Sequence, residues 1–161
     1  MTKVEIAVLD VLVLLAAATD TLPPANPLPL PGGVEGEVLA PIDALFAAFA
    51  AGDAAAMLRQ VYPDGRVTAI GPRPDGADGL RQLSWTEFAA RIKPEAAFEE
   101  RISDPAIDID GDIAMVWAPF TVRRGGQLRS CGVDHFDLVR EAGRWKVMNF
   151  TFSSRTTGCG G

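Results

Sequence analysis

Apolar residues change their spacing partway along this chain. From Val38 they recur at helical intervals, through Ile42, Leu45, Phe46 and Phe49, and Gly52 follows as a natural stop. Asp53 is placed to cap a second short helix, "AAAMLRQVY". "GRVTAIG" then reads as a short strand and "PRPDGADG" as a loop, on turn chemistry alone. Ser84 with Glu87 forms a capping box, which predicts a third helix from Trp85 to about Ile92, ending before Pro94.

After Pro94 the period becomes alternating. A first strand of loose limits is expected around "AFEERISDPAIDI", followed by "IAMVWAPFTVRR", "QLRSCGVDHFDLVRE" and "RWKVMNFTFSS". Gly111 with Asp112, Gly125 with Gly126, and Ala142 with Gly143 mark the turns between them. Helices first and an antiparallel meander last predict an α+β domain whose helices cover one face of the sheet. In "IAMVWAPFTV" both alternating sets are apolar: Ile113, Met115 and Trp117 on one side, Ala114, Val116, Ala118, Phe120 and Val122 on the other. A sheet face open to water would carry polar residues, so the second face predicts a cover, most simply a homodimer through the outer sheet face.

The chain has 161 residues, 48% of them hydrophobic, enough for one domain with a true core. Residues 1–33 stand apart. "IAVLDVLVLLAAATDT" has the apolar run of an export signal but carries Glu5 and Asp10 in or beside it, and "LPPANPLPLPGG" is a proline-rich linker. Export and cytoplasmic residence both stay open, the run is too short for an integral membrane span, and the folded domain is expected over residues 34–161. A net charge of -6 argues against nucleic acid, which needs clustered Lys and Arg. One His, two Cys and no carboxylate cluster at ligand spacing argue against a metal site. No glycine-rich loop opens a helix to hold a nucleotide phosphate, and Ser130 near His135 lacks the third member of a triad. No cofactor is therefore expected.

"ALFAAFAAGDAAAML" and the closing "CGVDHFDLVREAGRWKVMNF" resemble the nuclear transport factor 2-like superfamily, over residues 38–154. The closing segment is especially similar to a branch of small bacterial proteins described as lumazine-binding. The resemblance implies a cone-shaped, cystatin-like α+β domain with a hollow between helices and curved antiparallel sheet. It reaches polyketide cyclases, ketosteroid isomerase and scytalone dehydratase, so fold follows from it far better than function.

A two-residue turn at Gly125-Gly126 sets Arg124 against Gln127 and carries Trp117 opposite Asp134. Asp134 then shares its face with Phe136 and Leu138 and looks into the hollow, while the neighbouring His135 turns outward with Val133, Val139 and Val116. In the next hairpin two registers are open, and the family resemblance, in which the Trp of "GRWKV" packs inward, selects Trp145, Val147 and Asn149 as inward. The expected site is Asp134 with Trp117, Asn149, Tyr62, Trp85 and Phe136. A carboxyl among aromatic rings is desolvated, which raises its pKa and suits it to proton transfer. An Asp bonded to backbone or to Arg66 and holding the mouth of the cone is the other reading. Three functions follow: a domain binding a small hydrophobic molecule, a cofactor-independent lyase or isomerase with Asp134 as general acid or base, or a dimeric interaction module. If Cys131 lies opposite about Ser153 or Ser154, the tail brings Cys159 within reach of a disulfide with Cys131.

Overall fold

The structure, a computed structural model, describes residues 33–72 and 79–159. The expected export signal and most of the proline-rich linker lie outside the described residues, as does most of the "PRPDGADG" loop. Helix α1 spans Val34–Ala51 and buries Val38, Ile42, Leu45, Phe46 and Phe49, the stripe seen in the sequence. It ends at Gly52, which takes φ 64°, while the Asp53 N–H donates back to the Ala48 carbonyl at 2.9 Å. The Asp53 carboxylate caps helix α2, Ala54–Leu58, accepting from the Ala56 N–H at 2.8 Å. Helix α3, Trp85–Ala89, starts on the Ser84–Glu87 capping box; both short helices stop earlier than their apolar pattern predicts and continue as turns.

Seven strands form one curved, unclosed sheet: β1 (Arg66–Ile70), β2 (Leu80–Ser84), β3 (Glu99–Ile102), β4 (Ala106–Asp110), β5 (Ile113–Arg124), β6 (Gln127–Glu141) and β7 (Arg144–Arg155). Their order is β2-β1-β7-β6-β5-β3, and β4 pairs with the other half of the β5 edge. Strand β2 was not anticipated, because "LRQLS" has no clean alternation. Residues Val67 to Ile70 run parallel to Phe150 to Ser153, so the sheet is mixed rather than wholly antiparallel. The segment expected as one strand after Pro94 is two, broken where Asp104 takes a positive φ of 44° before Pro105.

The expected turns occur, but two bulges move the register between them. The Arg124–Gln127 pair is as expected, yet Val122 pairs with Ser130 and Arg123 with Leu128, leaving Arg129 extra. In the last hairpin Asp137 pairs with Asn149 and Leu138 with Val147, leaving Met148 extra. The inner face packs on α1 through Phe136 and Phe150, whose rings stack at 4.5 Å, with Phe46 edge-on to Phe136 at 6.0 Å.

Candidate functional site

Because Arg129 is extra, Trp117 faces His135, and Asp134 faces Ala118. This corrects the placement of Trp117 in the hollow: it is 52% exposed on the outer face, its ring 5.8 Å from the His135 ring. Val116, expected outward beside His135, is instead fully buried on the inner face. His135 looks outward and lies 3.6 Å from the Asp137 carboxylate. Asp134 looks inward with Phe136 and Leu138 and is 0% exposed.

The second bulge moves Asn149 in the same way. Trp145 and Val147 point inward, but the extra Met148 turns Asn149 to the outer face, where its amide donates to Asp137 at 3.3 Å and its oxygen accepts from the Arg66 N–H at 3.0 Å. Asn149 therefore does not partner Asp134, and neither does Arg66, whose guanidinium donates to the Asp64 and Gly65 carbonyls. Trp85 is a core residue; its indole N–H donates at 3.0 Å to the carbonyl of Met148, the bulge residue. Phe136 is core as well, and half-buried Tyr62 lies away from the cavity described next, its N–H bonded to the Val147 carbonyl at 2.8 Å. The same bulge sets Cys131 opposite Arg155 rather than Ser153 or Ser154. Cys131 and Cys159 are joined by a disulfide, Cα atoms 5.5 Å apart, which ties the C-terminal residues to β6.

A cavity of about 240 Å³ lies between the turn after α3 and the inner face of the sheet. Its apolar walls are Phe88, Ile92, Phe98, Phe120, Phe150 and Phe152, and its polar groups are Arg91, Glu100, Ser130 and Ser154. Asp134 does not line it but belongs to the same inner face: its cross-strand partner Phe152 and the next residues along β7, Phe150 and Ser154, are all wall residues. Between Ser130 and Asp134 the inward position of β6 is Gly132, where a Cβ would run into the Ser153 carbonyl and the Phe120 ring.

Glu100 was missed at the sequence level, although its signal was present. It takes the inward phase between Phe98 and Ile102 on β3, while Glu99 and Arg101 point out and pair at 3.6 Å. Glu100 is 8% exposed and Asp134 has no hydrogen-bond partner on either oxygen. Burial pushes the Glu100 carboxyl up to about 8. Burial, reinforced by the nearby Glu100 charge, pushes Asp134 up to about 10. The interior thus holds two electrostatically linked carboxylic acids able to donate hydrogen bonds at neutral pH.

A larger cleft of about 330 Å³ is lined by Asp108, Asp110, Met115, Asp137 and Asn149 among others. Among the described residues no group of three His, Cys, Asp or Glu side chains could hold a metal ion. Among them, too, no helix is long and apolar enough to cross a membrane.

Several solved structures share this architecture. A cystatin-like protein of unknown function from Nostoc punctiforme is 13% identical with a TM-score of 0.61, over 76% of this chain and 92% of that one. An NTF2-like protein from Novosphingobium aromaticivorans is 14% identical with a TM-score of 0.61, over 78% and 84%. One from Silicibacter pomeroyi, of unknown function, is 20% identical with a TM-score of 0.56, over 75% and 95%. At these identities the likeness is one of fold. No curated protein matches the chain. The family model described as "Putative lumazine-binding" matches residues 34–153, from the start of α1 into β7, and the chain belongs to that family, with the fold of the NTF2-like proteins above.

Proposed function

We propose that this protein binds a small, largely apolar molecule in the cavity walled by Phe88, Phe98, Phe120 and Phe152. The observation that carries the reading is Glu100, a buried acid set in a cavity wall built mostly of aromatic and aliphatic side chains, with Asp134 buried behind that wall on the same inner face of the sheet. A carboxyl in an apolar wall is poorly solvated, and a ligand that accepts its hydrogen bond offsets that cost. The family description supports a ligand-binding domain, and lumazine, a bicycle with carbonyl acceptors, is a suitable first probe. Titration calorimetry with lumazine and with 2-acetylnaphthalene should show saturable one-to-one binding of at least one. Val122 also lines the cavity, and Val122→Trp, which would fill it, should abolish binding. No saturable binding of either probe, together with no small molecule retained in native mass spectrometry, would refute the reading.

The raised acids also favour a second reading, a cofactor-independent isomerase or lyase. Glu100 reaches the cavity, so it would move the proton, and Asp134 would be its positioning partner. Wild type would then speed deuterium uptake into the methyl group of bound 2-acetylnaphthalene, and Glu100→Gln would abolish that exchange while retaining the ketone.

Two copies are further proposed to meet through the outer sheet face. Ile113 and Trp117 stand 59% and 52% exposed there, beside half-buried Met115, Val133 and Val139. An interaction module needs no more than this face.

A further inference from the structure

The cavity reading leaves open what kind of molecule the acids receive. We infer that the cavity selects an uncharged molecule with an apolar, ring-bearing body that leads with a hydrogen-bond acceptor, a carbonyl oxygen or ring nitrogen, received by the Glu100 carboxyl with Asp134 in the same interior. This rests on the proposed binding function and adds the ligand class to it.

Three observations combine. The walls are aromatic on the α3 side (Phe88, Phe98) and on the sheet side (Phe120, Phe150, Phe152), which suits a flat ring. The buried charged groups among the described residues are two carboxyls: Glu100 is in the wall, and Asp134, outside the lining but on the same inner face, has both oxygens buried and unpartnered. The cations near this end are engaged or peripheral. Arg124 donates to the Glu95 carbonyl at 2.6 Å, Arg123 to the Gly126 carbonyl at 3.0 Å, and Arg101 pairs with Glu99 at 3.6 Å. Arg91, exposed, stands at the cavity's edge.

Among the described residues no buried cation therefore offsets an ionised Glu100 or Asp134, and two carboxylates in one apolar interior repel. A protonated carboxyl donates its O–H, so its natural guest is an acceptor. An ammonium guest would require ionising one acid and stripping water from both charges, at several kcal/mol per ion. An anionic head would lose its hydration in the same way. The serine hydroxyls of Ser130 and Ser154, on neighbouring strands at the wall, offer further contacts to the same uncharged guest.

The test uses three probes that differ only in the leading group: 2-acetylnaphthalene, 2-ethylnaphthalene and 1-(2-naphthyl)ethylamine. Dissociation constants are measured at pH 6 and pH 9 for the full chain with its disulfide intact, and for Glu100→Gln. The ketone should bind wild type about tenfold more tightly than the hydrocarbon at pH 6, the worth of one buried hydrogen bond. That ratio should fall below about threefold at pH 9, once the Glu100 O–H is lost. Glu100→Gln, whose amide donates without titrating, should keep the ketone preference at both values. Comparing ratios removes any general loss of folded protein at high pH. If ketone and hydrocarbon bind wild type equally at pH 6, the cavity reading stands and the acceptor class is wrong. Tightest binding by the amine would replace it with ammonium pairing. Failure of all three to bind would overturn this inference, and the binding function beneath it falls as well only if lumazine also fails to bind and native mass spectrometry finds no retained small molecule.

Discussion

Raising the pH from 6 to 8 should destabilise this protein by several kcal/mol, and Asp134→Asn should remove about half of that loss. The ordinary carboxyl values are 3.8 for Asp134 and 4.5 for Glu100; in the fold they rise to about 10 and about 8. Between the ordinary and raised values the folded chain keeps protons that the unfolded chain has released, so stability falls as pH rises. The contribution is complete below about pH 4 and is lost progressively through pH 8 and toward pH 10. Each retained proton costs about 1.4 kcal/mol per pH unit, so one group accounts for roughly 3 kcal/mol over two units and both for up to about twice that. Against a total stability of about 5–15 kcal/mol, this is a large share. Urea unfolding at pH 6, 7 and 8, followed by the fluorescence of buried Trp85 and Trp145, measures it directly. Asp134→Asn should show roughly half the wild-type slope, and Asp134→Leu, apolar with the same branched heavy-atom skeleton, should be more stable than wild type at pH 8. A wild-type stability that is flat or rises from pH 6 to 8, or an equal slope in Asp134→Asn, would refute the reasoning.

Other outcomes follow from single features. Cys159→Ser, which opens the link across 28 residues to Cys131, should cost about 3 kcal/mol, read as a lower urea midpoint that reductant no longer changes. Gly65→Ala should cost more than about 3 kcal/mol, because its Cβ would collide with the Met148 carbonyl and crowd the Trp85 indole nitrogen; the thermal midpoint reports it. Ser84→Ala removes the cap that accepts the Glu87 N–H at 3.2 Å and should cost about 1 kcal/mol. Trp117→Glu should give a monomer in sedimentation velocity where wild type sediments as a dimer; a wild-type monomer would end the dimer proposal.

The architecture was legible where local chemistry decides it. Gly52, Asp53 and Ser84 act within a few residues of themselves, and the turns at Gly111, Gly125-Gly126 and Gly143 are demanded by positive φ. The inward turn of Asp134 follows its alternation with Phe136 and Leu138. What failed was the bookkeeping between strands. A bulge leaves no mark in an alternating pattern, yet the extra Arg129 and Met148 shift their partners, so Trp117 left the hollow and Asn149 left Asp134. At the Met148 bulge the carbonyl accepts from the Trp85 indole, a contact 63 residues away in sequence. Glu100 was overlooked because a charged residue in "FEERI" reads as solvated, although its phase between Phe98 and Ile102 places it inside.

The parallel pairing of Val67–Ile70 with Phe150–Ser153 bears on how the chain is born. On the ribosome, α1 and β1 emerge early, but the strand that β1 must lie beside is the last one made. Until then the greasy stripe of α1 lacks most of its floor, and β1 with β2 is a hairpin with one bare edge. Closure therefore waits for nearly the whole domain to clear the exit tunnel. A nascent chain arrested before Phe150 should be the form most readily captured by chaperones that hold exposed apolar segments.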